Sequence, residues 1–118
     1  MSVDKFVSKM SESDLNAALE QSEQTMSAHS RALLVEAIFD AFRGRGESSE
    51  DAAEAAGADL AALANGDESA LRTLIGYAKT NQGLLKEAAI VLIEEHPEIA
   101  GELAPVLRDA IASNSNAQ

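Results

Sequence analysis

From Ser13 to Phe42 the chain runs without a glycine or a proline. Along this stretch Leu15, Leu19, Ser22, Met26, His29 and Leu33 recur at alternating intervals of four and three, the heptad spacing. A strand would need apolar residues at every second position, so the pattern selects a helix. The seam is weak in its middle, where Ser22 and His29 take two of its places. It therefore permits one long helix, or two helices broken inside the polar stretch Gln21–Ser30.

Composition carries the helical reading to the whole chain. There are 23 Ala and 13 Leu but only four aromatic residues, Phe6, Phe39, Phe42 and Tyr77. Ala and Leu lose least on entering a helix, and the β-branched and aromatic residues that favour strands are scarce. The 7 Gly and 2 Pro fall mostly between apolar-periodic stretches. Ser2 is a cap for a short first turn, and Ser13 or Asp14 for the next helix. Gly44-Arg45-Gly46 ends the long stretch, and Ser48 opens an Ala-rich helix that Gly57 closes. Ala58–Ala64 forms a further short helix. Asn65-Gly66 is a stop and Asp67 the next cap. Leu84–Glu95, apolar nearly all round, is the central buried helix. Pro97 begins a last helix with an apolar face of Ile99, Leu103, Val106, Leu107 and Ile111, which Pro105 should kink or split. The expected fold is all-α: a compact bundle of five to seven helices over residues 1–112, with a polar tail at 113–118.

Charge and missing residue types exclude several functions. With 20 acidic and 9 basic side chains the net charge is −11. Such a surface argues against direct contact with nucleic-acid phosphates or anionic membranes. Without cysteine there is no disulfide framework, thiolate zinc site or cysteine nucleophile. The first ten residues lack a signal-peptide apolar core. The longest purely apolar run, Ala88–Ile93, is too short to cross a bilayer. A cytoplasmic location and no cofactor are the resulting expectations.

One segment has the order of a DNA-binding unit. An amphipathic helix ending at Phe42, the Gly44–Gly46 turn and the Ser48–Gly57 segment follow one another. Ala53 and Gly57 stand where a helix-turn-helix places its small residue and its turn glycine, with apolar Ala52, Ala56, Ala58 and Leu63 around them. Over about a third of the chain this resembles the N-terminal three-helix unit of TetR-type repressors, which implies a recognition helix near Asp59–Gly66. The chain departs from that pattern in its chemistry. The implied recognition helix has no basic side chain, and Glu47–Glu68 holds seven acids and no base.

Other candidate sites are local. Arg31, Arg43 and Arg45 gather in one segment as a candidate basic patch, although pairing with Glu36, Asp40 or Glu47 is the simpler expectation. Glu94, Glu95, Glu98 and Glu102 surround Pro97 as a candidate partner-binding acidic face. They lack the Glu-x-x-His spacing of a carboxylate-bridged metal pair. His29, on the seam, is expected to be partly buried, and His96 to end a helix. Leu15, Leu19, Met26 and Leu33 form a candidate self-association stripe for a homodimer. Together these features predict a non-catalytic, acidic protein-interaction module whose partner could be basic. The alternative is a degenerate helix-turn-helix regulator or a DNA mimic.

Overall fold

The structure, a computed structural model, describes residues 10–105. The first turn at Ser2, the face beyond Pro105 and the polar tail lie outside these residues. Six α-helices follow in order: α1 (Glu12–Thr25), α2 (Ala28–Gly44), α3 (Ser49–Ala56), α4 (Leu60–Ala64), α5 (Glu68–Ala78) and α6 (Leu84–Glu95). A 3-10 segment, Pro97–Glu102, completes the chain as described. No strand occurs among the described residues, and no helix there is long and apolar enough to cross a membrane.

Five of the six helices begin where a short polar side chain can receive an orphaned backbone N–H, the exception being α6, which starts at Gly83. Ser11, Ser27, Ser48, Asp59 and Asp67 cap α1 to α5 by accepting from the third residue beyond. The cap of α1 is therefore Ser11, not Ser13 or Asp14, because only Ser11 has the extended backbone preceding the first turn. The helix ends at Gly46, Gly57 and Gly66 share one device. Each glycine takes a positive φ, and the following residue donates back to a carbonyl five positions earlier.

Helix α2 packs most extensively on α6, which makes these two the centre of the molecule. Leu34, Val35, Ile38 and Phe42 of α2 meet a core that includes Leu84, Leu85, Ala88, Leu92 and Ile93 of α6. Phe42 stacks on Tyr77 of α5, ring centroids 5.4 Å apart. The small alanines Ala52, Ala53, Ala78, Ala88 and Ala89 are all buried, so the helices approach closely at these points.

The long glycine-free stretch resolves into two helices, broken at Met26 and Ser27. Both residues are extended, with ψ of 145° and 165°. Leu15, Leu19 and Met26 turn into the core of the single chain, and Leu33 packs at its edge. The stripe expected to pair with a second copy is thus used internally in this fold, because the break folds α1 back against α5 and α6. His29 is exposed, not partly buried, because the break carries it off the seam. Pro97 starts a 3-10 turn instead of an α-helix, and the chain leaves that turn before Pro105.

Candidate interaction surface

The α3–α4 segment is anchored by two alanines of α3 and turns its acids outward. In α3, Ala52 and Ala53 are buried, while Glu50, Asp51 and Glu54 are exposed. Ser48 accepts from Asp51 N at 3.2 Å, and the acids of the first turn complement the positive helix start. Gly57, at φ 78°, turns the chain into Asp59, whose carboxylate caps α4 at Ala62 N. Leu63 anchors α4, fully buried. Leu60, next to Asp59, is 39% exposed, the one large hydrophobic side chain left open among the described residues.

The ion pairs of the described residues lie elsewhere. They include Arg43 with Asp40, Arg45 with Glu87, Arg72 with Glu23 and Glu68, Lys79 with Glu20, and His96 with Glu98. Glu50, Asp51, Glu54 and Asp59 belong to none of these pairs, so their charge projects into solvent. The hairpin has the chain order of a helix-turn-helix, but α4, in the recognition position, is only five residues, Leu-Ala-Ala-Leu-Ala. It offers neither donors to base edges nor charge to phosphates.

The three arginines do not form a patch. Arg31 is drawn inward: its Nε donates to Gly66 O at 2.6 Å, and its Nη1 donates to the carbonyls of Met26 and Glu23. It thereby closes the C-terminal end of α1. Arg43 binds Asp40 and the Ser49 hydroxyl, and Arg45 reaches across to Glu87 at 3.2 Å. Pairing with Asp40 was legible from the sequence, whereas the Glu87 contact depends on the fold.

The acidic face around Pro97 divides. Glu94, Glu95 and Glu98 are exposed, with Glu98 3.2 Å from His96 Nδ1. Glu102 is not part of that surface. Its carboxylate accepts from Ser30 Oγ and from Ser27 N, both at 2.6 Å, and its carbonyl accepts from the Thr25 hydroxyl. The Ser30 hydroxyl first, then the Ser27 N–H, hold its carboxyl below the usual carboxylate range. Ala104 N donates to the buried Ser22 Oγ at 2.8 Å beside it. Glu102 therefore straps the 3-10 segment onto the α1–α2 break.

Glu23 was not singled out by the sequence. It is 1% exposed, with Oε1 bound by Arg72 Nε at 2.6 Å and Oε2 buried without a hydrogen-bond partner among the described residues. The contact raises the Arg72 pKa further, chiefly through the hydrogen bond to Glu23. Two open clefts of about 430 and 320 Å³ flank the outer side of α1. Ser13, Asn16, Glu20 and Lys79 line one, and Met10, Asp14, Ala18 and Gln21 the other, with Ala17 common to both. Among the described residues no three His, Asp or Glu side chains gather as metal ligands.

Comparison with models of known protein families, with curated proteins and with solved structures finds no match to this chain.

Proposed function

We propose that this protein is a non-catalytic helical interaction module whose α3–α4 hairpin docks a basic protein partner. The observation that carries the reading is the exposed set Glu50, Asp51, Glu54 and Asp59, on the two-helix segment that also leaves Leu60 open. An exposed apolar side chain on an acidic segment lets an interface combine buried contact with electrostatic steering. Glu94, Glu95 and Glu98 supply a second acidic tract that adds to the attraction at longer range.

The same chemistry separates the two alternatives drawn from the helix-turn-helix order. The acids on α3 and the apolar α4 oppose DNA binding, while a mimic that occupies a DNA-binding protein is one form of the proposed module. The test is affinity capture from nuclease-treated lysate with the wild type and with the Glu50→Gln/Asp51→Asn/Glu54→Gln variant. A basic protein held by the wild type and lost by the variant is the expected result. Equal recovery by both chains, or recovery abolished by nuclease, overturns the reading.

A further inference from the structure

The α1–α2 break is unusual in what holds it. Its two residues, Met26 and Ser27, are neither glycine nor proline, and no glycine or proline lies between Ser13 and Phe42. Nothing in the local sequence forbids a continuous helix there. The groups that such a helix would satisfy itself are instead satisfied by side chains, the local cap Ser27 together with Glu102 and Arg31. Glu102 accepts from Ser27 N, Ser27 Oγ accepts from Ser30 N, and Arg31 donates to the Met26 and Glu23 carbonyls. The heptad seam is also cut in two: Leu15, Leu19, Ser22 and Met26 point inward, whereas His29 is exposed and Leu33 only half-buried.

Helix α1 itself is clasped as much by polar contacts as by apolar ones. Glu12 accepts from Gly83 N, Glu20 pairs with Lys79, and Glu23 pairs with Arg72, around a core contribution of Leu15, Ala18 and Leu19. These three partners lie on or beside α5 and α6; at its C-terminal end α1 also meets Arg31 of α2 through the Glu23 carbonyl, and Glu102 and Ala104 through Thr25 and Ser22. Straightening the break would give up these end contacts and the Glu102 contact to Ser27 N, and would remove α1 from its cleft as a unit.

We infer that α1 exchanges between two copies of this chain, with residues 12–44 joining into one helix and each α1 filling the partner's cleft. The occupant is fixed by the cleft, which already fits this helix and its three carboxylates. In the exchanged dimer the contacts of α1 with α5 and α6 are remade between chains, while those of Arg31 and Glu102 at the break give way to helical hydrogen bonds. Such exchange through a short hinge is a low-cost route to a symmetric dimer. A straight helix of that length spans about 50 Å, enough to place α1 clear of its own domain.

Two hinge variants act in opposite directions. Ala28→Pro places proline at the first position of α2, where Ser27 already has the extended backbone that a residue before proline requires. Proline there is incompatible with a continuous helix, so this chain should be monomeric. Glu102→Gln weakens the strap and should raise the dimer fraction severalfold at a given concentration.

The experiment is light scattering of the full chain over a concentration series, for the wild type and both variants. It is joined to cross-linking of a Glu20→Cys chain mixed with a Lys79→Cys chain, in a protein that has no cysteine of its own. A short bis-maleimide should join the two different chains in preference to like chains. A dimer lost in Ala28→Pro, together with that mixed product, is the expected result. The inference is overturned if the wild type and Glu102→Gln both remain monomeric, if dimerisation ignores Ala28→Pro, or if like and unlike chains cross-link equally.

Discussion

Gly66 shows how much one residue can fix in this fold. It closes α4 at φ 74°, and a Cβ there would overlap the Ala28 carbonyl oxygen at the start of α2. Its own carbonyl receives Arg31, so a turn glycine, a helix start and an arginine meet at one point. Gly66→Ala should cost more than about 1 kcal/mol in denaturant unfolding, because neither the backbone angle nor the space suits a side chain. Leu63, fully buried one turn after Asp59, should cost about 2–5 kcal/mol when replaced by alanine. The Glu23–Arg72 pair gives a different kind of prediction. Arg72→Ala leaves a buried carboxylate without its cation, so its thermal midpoint should fall below that of the double variant Glu23→Met/Arg72→Ala. A single variant at least as stable as the double would show that the charge is not confined as described. Gly66 as a stop was legible in the Asn65-Gly66 pair; its contact with Ala28 was not, since that depends on two helices meeting.

The elements themselves were largely written in local signals. Ser48, Asp67, Gly57 and Gly66 mark helix ends in sequence and in structure, because capping is a contact between near neighbours. The α1–α2 break could not be fixed that way. A seam with Ser22 and His29 in its middle fits one helix or two, and the decision rests on Glu102, more than seventy residues away from Ser27 and Ser30. The same distance hid Glu102's role and made it look like part of a surface cluster. Its folded carboxyl titrates below the unfolded value, so the strap's contribution is present above the unfolded pKa and is lost as pH falls through the folded one. The thermal midpoint of the wild type should therefore drop in that acidic window, and Glu102→Gln should be lower at neutral pH with less of this drop. Identical pH profiles for the two chains would contradict the strap.

At the scale of the molecule, charge and shape divide the work. The apolar residues of α2, α5 and α6 build the core, and among the described residues Arg43, Arg45, Arg72 and Lys79 are engaged in ion pairs and Arg31 on carbonyls. The acids of α3 and the α3–α4 turn belong to none of these pairs, and the same segment leaves Leu60 open. The sequence showed the run of acids from Glu47 to Glu68 but not Leu60's exposure, because apolar spacing alone does not say which leucine of α4 faces inward. The most direct measurement is the dissociation constant for the purified captured partner at two salt concentrations, for the wild type and the Glu50→Gln/Asp51→Asn/Glu54→Gln variant. The wild type should bind more tightly at low salt and weaken steeply as salt rises, with the variant weaker and nearly insensitive. Equal affinities, or equal salt dependence, would contradict a docking surface on α3 and α4.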